Sequence, residues 1–207
     1  MNIVSLNETV AIKTVSETDF EGNFEIEGLY TGYGLTLGNA LRRVLISSLP
    51  GAAITRIKVK GVNHEFSTLA GMTEDIVELT LNLKQVRFRL HSDEPQTLVL
   101  KVKGEKDVTA ADIETNAQVE VVNPDAHIGR LTAKTADLDI ELTVERGLGY
   151  MPVEASRAEK LPIGVIALDA IFTPVTLVTV VVENMRIGDR TDYNRLQLRV
   201  VTDGSIT

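Results

Sequence analysis

Two stretches of the chain carry the three-and-four spacing of helices, and most of the remainder alternates as strands do. Leu37, Ala40, Leu41, Val44, Leu45 and Ser48 predict a helix over 37–48 with one small or apolar stripe. Thr36 stands where a capping residue belongs, and Pro50-Gly51 supplies the stop. Ile46 falls outside the stripe, and a helix apolar on more than one side meets more than one surface. Residues 73–83 predict a second helix, with Glu74 and Asp75 in a first turn where the helix dipole favours anions. Residues 24–30 read as a strand, and 53–62 alternate, with Ile54, Arg56 and Lys58 among Thr55, Ile57 and Val59. Short strands are predicted at 84–91, 96–103, 117–122, 127–132 and 137–145, punctuated by Gly, Pro, Asn and Asp in the manner of antiparallel sheet. Residues 107–113 predict a helical turn and 147–162 a loop, while 163–171 is apolar without a clear period. Strong strand signal returns at 175–187 and 193–201, with residues 3–15 and 24–30 as expected partners. Such pairing joins both chain ends in one sheet and leaves the middle as an inserted second domain.

Composition sharpens this into a mostly β protein. The 207 residues include 24 Val, 15 Ile and 21 Thr, whose branching at Cβ suits pleated strands. With 43% hydrophobic and 24% charged residues the chain is too apolar to be disordered. No apolar run approaches the ~18 residues of a membrane helix, and residues 1–8 lack the pattern of a signal peptide. Without cysteine there is no disulfide framework and no thiolate metal site. A soluble cytoplasmic protein is expected. Twenty-one Lys and Arg against 29 Asp and Glu give a net charge of −8, which favours protein partners over a nucleic-acid duplex.

Four patterns invite a chemical reading. Gly32, Gly34 and Gly38 follow a strand and open a helix, one residue off the dinucleotide fingerprint. The next strand is basic, with Arg56 and Lys58 where a ribose-binding acid would stand, so a tight strand-to-helix turn competes with a phosphate site. Asp137, Asp139, Glu141 and Glu145 share one face of a strand, as a divalent-cation site or simply a solvated face. His64, His91 and His127 show no metal-ligand spacing, and no serine sits in a G-x-S-x-G elbow. Arg42 and Arg43 point about 100° apart on their helix, so at least one borders the apolar stripe, where a planar fork suits a carboxylate or carbonyls. A solvated face and an interface helix both accommodate them.

Longer runs are more specific. LGNALRRVLISSLPGAAIT (37–55) and GVNHEFSTLAGMTEDIVELTLNLK (61–84) closely resemble the N-terminal domain of the bacterial RNA polymerase alpha-subunit family. VTAADI (108–113), VERGLGYMP (144–152), FTPV (172–175) and GDRTDYNRLQL (188–198) extend the resemblance to nearly the whole chain. It implies an α+β fold: a dimerisation subdomain of mainly antiparallel sheet with helices, from 1–50 and 175–207, and an inserted β-rich subdomain, 51–174. It also implies an assembly platform for DNA-directed RNA polymerase, with no catalytic residue, metal or cofactor of its own. In the family two alpha copies dimerise, one then holding the beta subunit and the other beta prime.

Position by position, the resemblance assigns Leu37, Leu41, Val44 and Leu45 to the dimer contact. Arg43, Ile46, His64, Glu65, Phe66, Ser67 and Thr68 match positions facing beta. Lys84, Phe172, Thr173, Pro174, Val175, Arg190, Thr191 and Asp192 match positions near beta prime. In the family a further helix crossing the dimer helix, a linker and a DNA-contacting domain follow the position of Thr207, so no DNA contact is carried onto these residues. The competing class is an enzyme using nucleotide or metal at Gly32–Gly38 or the Asp137 strand, which ligand-induced stabilisation of the chain would reveal.

Overall fold

The computed structural model describes residues 10–156 and 162–206. In chain order the strands are β1 (Ala11–Glu17), β2 (Glu21–Leu29), β3 (Pro50–Val59), β4 (Phe88–Leu90), β5 (Gln96–Lys103), β6 (Lys106–Thr109), β7 (Ile113–Glu114), β8 (Val119–Val121), β9 (His127–Leu131), β10 (Asp137–Leu148), β11 (Tyr150–Met151), β12 (Val165–Ala167), β13 (Ala170–Ile171), β14 (Val175–Ile187) and β15 (Arg190–Thr202). The helices are α1 (Tyr33–Ser47), α2 (Ile76–Leu83) and the single turn α3 (Val153–Ser156). Every strand pair is antiparallel, which makes the class α+β. The described residues divide into two compact units, 10–49 with 174–206, and Pro50–Thr173.

The first unit is a four-stranded sheet in the order β1-β2-β15-β14. The expected pairing of 24–30 with the C-terminal strands is present as β2 on β15, whereas β1, in the predicted strand 3–15, pairs with β2 and not with β14 or β15, and residues 3–9 lie outside the described residues. β14 and β15 form a long hairpin whose register sets Val180 opposite Leu198, Val182 opposite Leu196 and Asn184 opposite Asn194. α1 lies on these two strands through Gly34 and Gly38, both buried and one turn apart. A Cβ added at Gly34 would stand 2.7 Å from Val182 Cγ1, and one at Gly38 would stand 2.5 Å from Val180 Cγ1. These glycines let a helix approach a β-branched sheet surface.

α1 begins at Tyr33, four residues before the predicted start. Its N-cap is Gly32 at φ 81°, a left-handed conformation that glycine adopts without a steric penalty. Thr36 does not cap: its hydroxyl lies inside the first turn, 3.4 Å from the Gly32 carbonyl. The early start has a physical cause, since the Gly32 and Gly34 amides donate to Asn194 on β15.

The second unit is built on a sheet in the order β7-β5-β10-β3-β4-β8, with β12 also paired to β3. Leu138, Ile140, Leu142 and Val144 of β10 turn into its core, beside Ile57, Leu98, Leu100 and Phe88. α2 adds Ile76, Leu79 and Leu83, all fully buried. It starts later than expected because Asp75 is the N-cap, its carboxylate accepting from Glu78 N at 2.7 Å. Glu74 is outside the helix. The strand predicted at 84–91 is only β4, because Lys84–Gln85 still turn back on α2 through Gln85 N to Asn82 O. Residues 107–113 divide between β6 and a 3₁₀ turn, Ala110–Asp112, closed by a Thr109–Asp112 capping box. The segment 147–162 is not a loop up to residue 156: β10 runs on to Leu148, and β11 and α3 follow. Residues 157–161 lie outside the described residues. The unassigned 163–171 supplies β12 and β13.

Candidate interaction surfaces

Register disposes of the acidic strand and the basic strand together. β3 and β10 are neighbours, and Arg56 meets Glu145 at 3.8 Å, Lys58 meets Glu141 at 3.8 Å and Lys60 meets Asp137 at 3.4 Å. The carboxylates are spread along a cross-strand ladder instead of converging on one point. Opposite charges on facing strands are an ordinary sheet-stabilising arrangement. Gly32–Gly38 are likewise engaged in helix capping and close packing.

On α1 the sheet takes part of the apolar stripe. Leu37 and Leu41 pack with Ile26, Leu29 and Leu196, while Leu41 and Leu45 pack with Val175, Val178 and Leu198. Val44 is left 54% exposed. Arg43, five residues beyond buried Gly38, points away from the sheet at about 100° per residue. Arg42, Arg43 and Ile46 are exposed and line a cleft of about 430 Å³ with Asn39 and Ser47. Beside the helix, Phe20, Leu41, Leu45, Leu49 and Ile206 line an apolar groove of about 450 Å³.

The start of α1 and the segment Arg190–Asp192 are fastened together. Thr31 Oγ1 lies 2.6 Å from the Asp192 carbonyl and 2.8 Å from Asp192 Oδ2. Arg190 grips both carboxylate oxygens of Asp192, at 3.0 and 2.8 Å, and stands 5.1 Å from the centre of the Tyr193 ring. Hydrogen bonds from Arg190 and then Thr31 hold the Asp192 carboxyl at about 2, below its ordinary 3.8. Asp192 therefore contributes stability that is complete above about pH 4 and lost as pH falls towards 2. Carboxyl-detected NMR should place the Asp192 midpoint near 2 in the wild type and return it to the ordinary range in Arg190→Ala; an unmoved midpoint would remove the pair as its cause. Thr191 is exposed on the same turn.

In the second unit His64, Glu65 and Phe66 line a depression of about 270 Å³ with Val153 and Val165–Ala167. Phe66 is 80% exposed, an apolar ring with nothing of its own unit over it. Ser67 hydrogen-bonds His64 Nδ1 at 3.1 Å, and its carbonyl accepts from Ile76 N. Thr68 bridges to Asp75, so the start of α2 anchors this loop. Glu74 reaches β9, accepting from Arg130 N at 2.7 Å and lying 3.0 Å from His127 Nε2. Burial opposes the charge on Glu74, but these two bonds prevail and its carboxyl stays below the usual range.

Lys84 is committed within the chain. Its ammonium meets Asp169 at 3.0 Å, and Asp169 also accepts from Val153 N at 2.9 Å. The Val153 amide and then Lys84 hold the Asp169 carboxyl below its usual range. Of residues 172–175, only Thr173 keeps partial exposure; the Phe172, Pro174 and Val175 side chains are buried. Phe172 packs on Ala53, Ala170 and Met151. The burial of these side chains within the chain is not disclosed by the apolar sequence FTPV.

Comparison with known proteins agrees with the resemblance. Residues 56–173 match the family model described as RNA polymerase Rpb3/RpoA insert domain. The chain belongs to the RNA polymerase alpha-subunit family. It is 50% identical over 199 residues to the DNA-directed RNA polymerase subunit alpha of Symbiobacterium thermophilum, covering 96% of this chain and 62% of that protein. The proteins of the same name from Alkaliphilus oremlandii and Oceanobacillus iheyensis are 48% identical over 197 residues and 50% over 199. The alignments cover 95% and 96% of this chain, and 62% of each relative. The chain thus spans about 62% of the length of these relatives. Among the described residues no helix is long and apolar enough to cross a membrane.

The sequence pattern gives no role to Asn194, Thr31 or Asp169, and it places Glu74 in the first turn of α2 instead of against β9. Asn194 carries a legible signal: it continues the phase of the apolar Leu196, Leu198 and Val200, and an amide placed there needs partners.

Proposed function

We propose that this chain is the assembly part of a non-catalytic subunit of DNA-directed RNA polymerase, in the cytoplasm. It pairs with a second copy and holds the beta and beta prime subunits, which perform the nucleotidyl transfer. The observation that carries this reading is the division of labour on α1. One face is committed to the sheet through Gly34 and Gly38, and the other presents Arg42, Arg43, Val44 and Ile46 to solvent. An exposed helix face mixing arginines with apolar side chains is the composition of a protein interface. The apolar groove beside Leu45 and the uncovered Phe66 add surface that water solvates poorly. Near-50% identity to proteins named alpha subunits supports the same role. No metal or cofactor enters this account.

The test is Arg43→Ala. Its side chain makes no ion pair among the described residues, so truncation leaves the fold within about 0.5 kcal/mol of wild type. If Arg43 anchors beta, affinity falls by about 2 kcal/mol, roughly 30-fold. Pull-down titration against the beta subunit with a parallel melting curve reads both numbers. Wild-type affinity in the variant would take Arg43 out of the interface, and no capture of beta by the wild type would end the scaffold reading.

A further inference from the structure

Asn194 is a polar residue on the sheet face under α1, and it is 6% exposed. Its Oδ1 accepts from Gly32 N at 2.8 Å and from Gly34 N at 3.4 Å. Its Nδ2 donates to Oδ1 of Asn184, its partner across the β14–β15 ladder, at 3.2 Å. Two amide hydrogens aimed at one atom fix the orientation of the side chain, because only the carboxamide oxygen accepts. The first amides of a helix have no partner within it, and the N-cap here is a glycine with no side chain to offer.

We propose that Asn194 is the functional N-cap of α1, supplied by a strand some 160 residues further along the chain, and that it is a positioning residue for the outward face of the helix. The positioning half rests on the scaffold reading above; the capping half does not. The glycines explain why the cap comes from elsewhere. Gly32 and Gly34 lack the side chains that could cap locally, and a Cβ at Gly34 would collide with Val182 and Asn194 Cβ. A helix that starts against the sheet must take its acceptor from the sheet. The same stretch of β15 carries Asp192, which meets Thr31, so the helix start is held at two successive points.

A cap and a packing residue answer differently to substitution. Aspartate keeps the acceptor and adds negative charge at the positive end of the helix, whereas leucine keeps the volume and removes the acceptor. If Asn194 only filled space, a buried carboxylate would be worse than leucine. The experiment melts wild type, Asn194→Asp and Asn194→Leu between pH 3 and 8, follows amide exchange at residues 32–35, and titrates each against the beta subunit. The expected result is a Tm about 3–6 °C lower for Asn194→Leu, with the Gly32 and Gly34 amides exchanging at least tenfold faster. Asn194→Asp should stay within about 2 °C of wild type above pH 5 and lose that parity as its carboxylate protonates. Beta affinity should fall at least threefold in Asn194→Leu and hold in Asn194→Asp.

Asn194→Asp melting below Asn194→Leu at pH 7, or exchange unchanged in Asn194→Leu, would overturn the cap. Faster exchange with undiminished beta affinity would overturn the positioning role. If Asn194→Leu does not fold, Asn194→Asp decides: folded with an acid-dependent loss it supports the cap, and unfolded it refutes it. A wild type that fails to bind beta refutes the scaffold reading and the positioning role with it, while the melts and exchange still judge the cap.

Discussion

Leu41→Asp should unfold the first unit, while Val44→Asp, three residues along the same helix, should leave it folded. Leu41 is wedged between two groups of the unit's own side chains, one around Ile26, Leu29 and Leu196 and the other around Val175, Val178 and Leu198. Removing a packed leucine costs about 2–5 kcal/mol, and a carboxylate brought into its place finds no partner in either group. For a side chain that is only half buried, a loss of about 3–4 kcal/mol is expected. Val44 is 54% exposed, so a charge there remains in water in the isolated chain. In a twofold dimer Val44→Asp would bring a carboxylate into the interface twice, since such an interface presents the same patch on both copies. Circular dichroism melts and sedimentation of both variants separate the cases. Leu41→Asp melting like wild type would mean that the sheet contact is weak. Val44→Asp self-associating like wild type would remove the outer flank of α1 from the dimer.

The contrast shows what periodicity discloses and what it does not. The spacing of Leu37, Leu41, Val44 and Leu45 identifies a helix with an apolar side, and α1 is there. Spacing gives no hint that the sheet takes Leu37, Leu41 and Leu45 and leaves Val44, because that depends on where Gly34 and Gly38 let the helix settle. The helix start is hidden for a similar reason: its cap comes from β15, and a window of neighbouring residues contains no trace of it. Thr36 looked like the local candidate and proved to lie inside the first turn.

Strands with one buried face were more readable. Asp137 to Glu145 alternates cleanly, and β10 buries Leu138, Ile140, Leu142 and Val144 as alternation requires. What remained hidden was register. Arg56 and Lys58 read as a basic strand, and Asp137, Asp139, Glu141 and Glu145 as a cation site or a solvated face, until the pairing of β3 with β10 set Lys58 opposite Glu141 and brought Arg56 to Glu145 and Lys60 to Asp137. Short strands such as β11, β12 and β13 have too few residues to establish a period, so from sequence 147–162 reads as a loop and 163–171 stays unassigned. The burial of Phe172 and Val175 also escaped, because an apolar residue at a partner surface and one in a core look alike in a linear chain.

Gly38→Val should displace α1 from its sheet and cost about 3 kcal/mol. At this position the first side-chain atom would stand 2.5 Å from Val180 Cγ1 and 3.0 Å from Leu196 Cδ1, and the second branch of valine adds to the crowding. Val180 is itself β-branched and has little rotamer freedom to yield. The helix must therefore rise from the sheet, loosening the contacts of Leu37 and Leu41 that flank the glycine. Gly38→Ala is the graded control. Its methyl meets the same Val180 atom, but alanine returns about 1 kcal/mol of helix propensity, so its net loss should be visibly smaller than that of valine. Gly61 supplies the opposite control: it lies at φ 83° with no neighbour within 4 Å, so a side chain there strains the backbone without touching the helix. Denaturant unfolding of the three variants, with amide exchange along α1, distinguishes crowding from general destabilisation. Gly38→Val should release the α1 amides ahead of the sheet, and Gly61→Val should leave their protection unchanged. If Gly38→Val melts with wild-type stability, the helix is not seated on Val180, and the glycine pair has no packing role to explain its spacing.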